Sequence, residues 1–317
     1  MARVLVTGGN GFIGSHVCAR LAREGHEVLA LVRPASGTAF LEGVSAGVVR
    51  GDVLDRASLD AAAKGVEVVV HVAGFASDWG PWERFFSVNA EGTQNVAKAS
   101  AAAGARRMVH VSSAVLHGFS GFRNADETQP MLPSSFPYNE SKRVAEEWLF
   151  EFAKTSPLEV VSVRPGNVFG PRDHTFLEKY MDVLVRGKGA YVGGGRSWTC
   201  PTYVENLADA IERACFVPGA RGEAFLVTDG LDVDWRTFTE RLADLLQVKR
   251  PWLSVPLWLG YGVAGAMEGI WTVLGVKEAP LLTRYRILNG GRDYHFSIAK
   301  AKRVLGWEPK SQRYLEG

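Results

Sequence analysis

Tyr138 and Lys142 stand four residues apart in Tyr138-Asn139-Glu140-Ser141-Lys142, directly after Pro137. Side chains at that spacing share one face of a helix. A phenol with pKa ~10 is a poor acid at neutral pH, and a neighbouring ammonium moves it toward the working range. The pair predicts proton transfer at an oxygen atom, with Tyr138 as acid and base. Ser113 lies 25 residues earlier, at the end of an apolar run, and its hydroxyl can hold the same oxygen. Taken alone, Tyr and Lys at this spacing read first as an exposed helix pair. The catalytic reading depends on what else the chain carries.

It carries a glycine loop. Gly8, Gly11 and Gly14 fall in Thr7-Gly8-Gly9-Asn10-Gly11-Phe12-Ile13-Gly14. Before it runs the β-branched stretch Val4–Thr7; after it Ile13, Val17 and Leu21 recur at helical spacing up to Gly25. A tight turn from strand to helix aims free N–H groups and the helix dipole at one point, which suits a pyrophosphate. The sequence therefore predicts a dinucleotide site at Gly8, Gly11, Phe12, Ile13 and Gly14. Nineteen residues beyond Gly14 the second strand ends at Arg33. A carboxylate there would bind the ribose hydroxyls of NAD; a guanidinium suits a 2′-phosphate. NADP is the expected cofactor, with NAD and a solvated Arg33 as the alternative. Asp52 and Val53 are placed near the adenine, although Asp52 reads equally as a turn residue. Ala73, closing the fourth apolar strand, joins the cofactor set.

Strands and helices must alternate to position these groups. Glu27–Val32, residues 47–53 and 66–73, Arg107–Ser113, Val160–Pro165 and Glu223–Val227 read as further strands. Helices are expected over residues 86–103, 138–154 and 203–214. Alternation of this kind builds βαβ units and a parallel sheet covered on both faces. The expected fold is α/β: a Rossmann-type doubly wound parallel sheet with a smaller C-terminal substrate-binding lobe. The nucleotide domain is assigned to residues 1–170, with 196–228 returning to the sheet. Residues 171–195 and 229–317 form the expected lobe.

The 317 residues include 36 Lys and Arg against 34 Asp and Glu, a net charge of +2. No basic, aromatic-interleaved stripe suggests nucleic acid. Cys18, Cys200 and Cys215 fit no C-x-x-C spacing, which points to a reducing, cytoplasmic setting. The apolar run at the N-terminus is too short for an export signal. No cluster with ligand-like spacing predicts a metal.

The glycine loop, Asn89, Ser113, Tyr138, Lys142 and Arg164-Pro165-Gly166-Asn167-Val168-Phe169-Gly170-Pro171 together resemble an extended short-chain dehydrogenase/reductase of the NAD-dependent epimerase/dehydratase superfamily. The resemblance runs on to Ala301-Lys302-Arg303-Val304-Leu305-Gly306-Trp307-Glu308-Pro309. It implies that Tyr138 is the acid/base, that Lys142 binds the nicotinamide ribose and lowers the tyrosine pKa, and that Ser113 orients the substrate oxygen. Asn89 is implied to hold the strand and helix that frame the site. Pro165, Gly166 and Val168 are implied to flank the nicotinamide.

Sugar dehydratases of this type place acidic residues after the serine; here Ala114-Val115 follows. Sugar-nucleotide members carry an Arg-Asp pair where this chain has Thr199-Cys200, with Arg172 and Arg196 as the available substitutes. Asp78-Trp79-Gly80-Pro81 resembles the 3β-hydroxysteroid dehydrogenase branch, which includes sterol decarboxylating dehydrogenases and 2-alkyl-3-oxoalkanoate reductases. The function implied is hydride transfer between nicotinamide and a 3-hydroxy or 3-oxo group of a hydrophobic substrate. Trp79, Ser113, Tyr138 and Asn167 are its expected contacts, with Trp79 reading equally as a packed anchor. Sugar-nucleotide epimerisation or dehydration is the alternative. A non-catalytic dinucleotide-binding protein is the alternative of another class.

From Pro251 to Val276 the only charge is Glu268. This stretch is expected as a buried or lid helix pair over the site, with peripheral membrane contact as the second reading and a membrane span as the third. A homodimer through the 86–103 and 138–154 helices is implied by the resemblance.

Overall fold

The computed structural model describes residues 1–310; the last seven residues of the expected lobe lie outside them. Seven strands form the central sheet: β1 (Arg3–Thr7), β2 (Glu27–Val32), β3 (Ala46–Arg50), β4 (Val68–His71), β5 (Arg107–Val111), β6 (Glu159–Pro165) and β7 (Ala224–Val227). Their order is β7-β6-β5-β4-β1-β2-β3, and every pairing is parallel. The chain lays β2 and β3 on one side of β1, then crosses to β4 on the other. Ligands of open α/β sheets sit at such a reversal, outside the carboxyl ends of the strands. Here the reversal lies between β1 and β4.

Both faces of the sheet are buried, so the strands read as unbroken apolar runs. Val4 and Val6 of β1 face one core with Val17 and Leu21 of α1 (Phe12–Arg23). Leu5 faces the other, with Leu59 of α2 (Arg56–Ala62), Val96 of α3 (Gly92–Ala102) and Leu149 of α4 (Pro137–Thr155). Proline opens α4 where its missing N–H costs nothing. The helix expected over 86–103 begins earlier and is not uniform. A helical turn at Trp82–Phe85 runs into a wider π turn at Phe86–Glu91 before α3. Such turns recur at functional sites, and this one carries the buried Asn89.

The remaining helices are α5 (Leu177–Val185), α6 (Val204–Phe216), α7 (Trp235–Leu245), α8 (Leu257–Val273), α9 (Arg284–Gly291) and α10 (Ala299–Leu305). Helices α6 and α10 join α1 on the first face. Short strand pairs stitch the C-terminal part to the sheet side, among them Asn167–Phe169 with Pro201–Tyr203 and Phe122–Ala125 with Tyr294–Phe296. The strand at Phe122–Ala125 has no signal in the sequence. Helix α8 packs on α9 through Gly260 and Ala264, its only buried residues. Among the described residues, no helix is long and apolar enough to cross a membrane.

Candidate active site

The glycine loop closes the sheet reversal. A Cβ on Gly14 would stand 2.1 Å from the Gly8 carbonyl oxygen, and one on Gly8, at φ +66°, 2.9 Å from the Ala73 Cα. No side chain fits at either place, so backbone N–H groups at the start of α1 stay open to an approaching phosphate. Gly11 precedes α1 and donates to the Gly8 carbonyl at 2.9 Å; Phe12 and Ile13 open the helix. Arg33 is exposed just past β2. Arg50 donates to the Arg33 and Ser36 carbonyls at 3.1 and 2.8 Å and so shapes that loop. Asp52 accepts from the Leu54 N–H at 2.9 Å, a turn bond, while Val53 packs against Gly92.

A directional hydrogen-bond chain ties the ends of β1 and β4 to the π turn. The Ala73 N–H donates to Thr7 Oγ1 at 3.2 Å, and Thr7 Oγ1 lies 2.8 Å from His71 Nδ1. His71 Nε2 lies 2.9 Å from Thr93 Oγ1, which donates to the Asn89 carbonyl at 2.6 Å. Thr93 has one hydroxyl proton and gives it to Asn89, so His71 must donate from Nε2 and accept at Nδ1. Burial pushes His71 down to about 3, with the Lys142 charge adding to it; the ring is neutral. The Asn89 side chain then grips the Phe75 N–H at 2.7 Å and donates to Ser141 Oγ of α4 at 2.9 Å.

Tyr138, Lys142 and Glu146 follow one another along a face of α4, turn by turn. Ser113 stands just past β5, its hydroxyl accepting from the Val115 N–H at 3.4 Å and lying beside the Tyr138 phenol. The Lys142 ammonium donates to the Val111 carbonyl at 2.9 Å and is held down to about 8 by burial, against the pull of Glu146. Burial raises the Tyr138 phenol, and the neighbouring Ser113 hydroxyl opposes it. The lowering of Tyr138 expected from Lys142 is therefore not seen here. The ammonium is drawn to the end of β5, and desolvation dominates the phenol. Glu146 is wholly buried, accepting from Arg164 Nε at 2.9 Å and Ser162 Oγ at 2.7 Å. This pair locks α4 onto β6.

Around Tyr138 the wall is aromatic. Phe85 lies 6.5 Å from it, ring to ring. Tyr285 of α9 meets Phe119 and Phe136 edge-on at 5.1 and 5.6 Å, and its phenol is electrostatically coupled to Tyr138. Sequence reasoning misses Tyr285, which comes from far along the chain without a motif. It also misses Gly74, where a Cβ would lie 3.2 Å from Asn89 Oδ1 and 3.5 Å from Lys142 Nζ.

Pro165 ends β6, and Gly166 abuts the Cys200 carbonyl so closely that a Cβ would stand 2.4 Å from it. Val168 lies in the next short strand. Asn167 gives its amide to Thr199 Oγ1 at 3.0 Å. Trp79 donates its indole N–H to the Val276 carbonyl at 3.4 Å, as an anchor does. Beside it, Asp78 accepts from Thr283 Oγ1 at 2.6 Å and pairs with Arg286 at 2.7 Å, clasping the loop to the start of α9. Arg172 donates to Ser15 Oγ at 3.1 Å, on the side of α1 and away from Thr199. Among the described residues no group of His, Cys, Asp and Glu gathers to hold a metal ion.

Known proteins repeat this plan. The chain is 29% identical over 317 residues to a 2-alkyl-3-oxoalkanoate reductase of Stenotrophomonas maltophilia (strain K279a), covering 97% of this chain and 95% of that one. It is 31% identical to a 3-beta-hydroxysteroid dehydrogenase of Mycolicibacterium neoaurum, over 98% of this chain and 87% of the other. In fold it is similar to a short-chain dehydrogenase/reductase superfamily protein from Agrobacterium tumefaciens solved with bound NAD: TM-score 0.76, 24% identity, 99% and 95% of the two chains. Residues 4–226 match the family described as NAD dependent epimerase/dehydratase, which takes in the glycine loop, Ser113, Tyr138 and Lys142. With a dinucleotide cradle at the sheet reversal and those residues beside it, the chain belongs to the NAD dependent epimerase/dehydratase family.

Proposed function

We propose that this protein is an NADP(H)-dependent dehydrogenase/reductase acting on a 3-hydroxy or 3-oxo group of a hydrophobic substrate, of the steroid or 2-alkyl-3-oxoalkanoate type. The observation that carries the reading is the Ser113 hydroxyl set beside the Tyr138 phenol inside an aromatic wall, next to the glycine cradle. When bound, the nicotinamide supplies or accepts the hydride. In the reductive direction Tyr138 gives its hydroxyl proton to the substrate oxygen while Ser113 donates to that oxygen and holds it. Lys142 would bind the nicotinamide ribose and, turned from the Val111 carbonyl toward the bound cofactor, would favour the phenolate left on Tyr138. Asn89 keeps α4 in place through Ser141. Trp79 and Asn167 serve the substrate as anchors of the walls around it.

The cradle suits a dinucleotide, because Gly8 and Gly14 leave room for backbone donors alone. NADP over NAD rests on Arg33, whose exposed guanidinium ends β2 where a carboxylate would select NAD. Asp52 and Val53 stand at the end of β3, on the adenine side of the same reading. Sugar-nucleotide epimerisation is the weaker reading: Thr199 is tied to Asn167 and Arg172 donates to Ser15, which leaves the exposed Arg196 as the one remaining substitute for a diphosphate-gripping arginine.

The same proposal takes residues 1–170 with 196–228 as the nucleotide domain and the rest as the substrate lobe. It includes a cytoplasmic setting, with the three free cysteines buried, and a homodimer through α3 and α4. The test is cofactor turnover against steroids, 3-oxoalkanoates and UDP-sugars, with NADP and NAD in parallel. Turnover confined to UDP-sugars, or none with any carbonyl substrate, overturns it.

A further inference from the structure

Arg172 is held where a cation is unfavourable. Its backbone lies in the left-handed region at φ +73°, which a long side chain rarely adopts. Both neighbours are pinned. His16 Nε2 donates to the Pro171 carbonyl at 3.0 Å, and the buried Asp173 carboxylate accepts from the Thr175, Phe176 and Leu177 N–H groups at 2.8, 3.0 and 2.8 Å. Arg172 Nη1 donates to Ser15 Oγ of α1 at 3.1 Å, and the guanidinium stands over the Phe40 ring at 5.5 Å. Ser15 lies one turn beyond Gly11, its N–H donating to the Gly11 carbonyl at 3.0 Å. Side chains of a helix tilt toward its N-terminus, so this bond fastens the guanidinium at the positive end of α1, beside the glycine cradle. No acidic residue stands in the first turn of α1, and Arg172 makes no salt bridge among the described residues.

We propose that Arg172 binds the cofactor and grips its pyrophosphate at the glycine cradle, an inference that rests on the dinucleotide reading of that cradle given above. A guanidinium repels the partial positive charge of a helix N-terminus, and a left-handed backbone adds strain. A fold keeps both where something offsets them, and an anion between the two positive groups does so. The cradle suits an anion at that point, because Gly8 and Gly14 leave room for backbone donors alone. The guanidinium carries further N–H donors that bond nothing among the described residues, and a planar fork meets two phosphate oxygens at once. Its bond to Ser15 orients the fork in advance, so little freedom is lost on binding. Arg33 and Arg172 then have separate partners: Arg33 the 2′-phosphate of NADP, Arg172 the group that NADP and NAD share. Sequence reasoning offers Arg172 as a grip on a substrate diphosphate; its place beside α1 gives it the diphosphate of the cofactor instead. Asp173 caps the turn that leads into α5, so a pyrophosphate held by Arg172 also fastens the start of the proposed substrate lobe to the nucleotide domain.

Fluorescence titration of the full chain with NADPH and with NADH tests this without turnover. Arg172→Gln should weaken both by about tenfold to a hundredfold, and Arg172→Lys, which keeps the charge without the fork, should recover part of the loss. Arg172→Gly should weaken both as Arg172→Gln does, yet raise the thermal midpoint of the cofactor-free chain by about 2 °C, because glycine adopts the left-handed backbone freely. Unchanged affinity for both cofactors in Arg172→Gln, with the wild type binding, overturns this proposal alone. So does a loss confined to NADPH, since the partner is then the 2′-phosphate. A midpoint that falls in Arg172→Gly marks a structural tie to Ser15 and overturns it as well. Wild-type protein that binds neither cofactor overturns the cradle reading and this proposal together. A chain that binds both through Arg172 yet reduces no carbonyl refutes the activity alone.

Discussion

The hydroxyl of Ser113, just past the end of β5, lies beside the phenol of Tyr138 in the first turn of α4 and favours its ionised form. Ser113 follows the strand and caps the short helical turn Ala114–His117, and Tyr138 opens a helix, so regular backbone beside each fixes its position. Two donors can converge on a single substrate oxygen there. Tyr138→Phe removes the proton donor and keeps the ring. Turnover should fall by about 10³-fold or more, while cofactor binding followed by fluorescence titration stays within a factor of about two. Ser113→Ala should cost about 10²–10³ in kcat. Wild-type rates in the phenylalanine variant would remove Tyr138 from the chemistry.

Three of the buried histidines, His71, His110 and His117, make the fold acid-sensitive. Burial lowers His71 to about 3, His117 to about 4 and His110 far below its ordinary value. Unfolded, each takes up a proton near pH ~6.5. Between that pH and the folded pKa the unfolded state binds more protons, so stability is full above pH ~6.5 and falls as the solution is acidified. Three such groups give a slope of about 4 kcal/mol per pH unit between roughly pH 5.5 and 4.5. Neither His110 ring nitrogen has a hydrogen-bond partner among the described residues. His110→Leu should therefore reduce that slope by about a third and leave stability at pH 7 equal or about 1 kcal/mol higher. Urea unfolding curves at a series of pH values measure both.

Arg33 is the cofactor test. A charge-assisted contact to a 2′-phosphate contributes about 1.5–3 kcal/mol. Arg33→Asp should raise the KM for NADPH by about tenfold to a hundredfold and lower that for NADH. Because Arg33 is exposed, the thermal midpoint should hold. If the wild type prefers NADH by more than about tenfold, the 2′-phosphate assignment fails.

What can be read in the sequence and what cannot divides along contact distance. Strand β1, the glycine loop and α1 are legible because their signals are local and continuous. Tyr138 and Lys142 are legible because one helix turn joins them. His71 and Thr93 each look like ordinary residues; only the packing of α3 against β4 turns them into a single chain ending at Asn89. The direction of the Lys142 ammonium is likewise a matter of where the Val111 carbonyl stands. Tyr285 reaches the site through the docking of α9, which no periodicity announces. Helix α8 shows the same limit in reverse. Its lack of charge is plain in the sequence, but an apolar run does not say whether protein, solvent or lipid lies against it.

The clasp between Asp78 and α9 offers a way to separate substrate binding from cofactor binding. Asp78 joins two parts of the chain that no strand pairing connects: the loop after β4, and the Thr283–Arg286 turn that begins α9. Thr283 also caps that helix by accepting from the Arg286 N–H at 3.2 Å, so losing Asp78 loosens both the loop and the cap. Tyr285 sits inside that turn and would lose its fixed position in the aromatic wall. The glycine cradle lies on other elements and shares no bond with the clasp. Asp78→Asn should raise the KM for an apolar carbonyl substrate by about threefold to tenfold and cost about 1 kcal/mol of stability. The dissociation constant for cofactor should not move. Asp78→Glu, which restores the charge on a longer arm, should recover part of the loss. Equal weakening of cofactor and substrate in Asp78→Asn would mean the loop supports the whole nucleotide domain rather than the substrate wall.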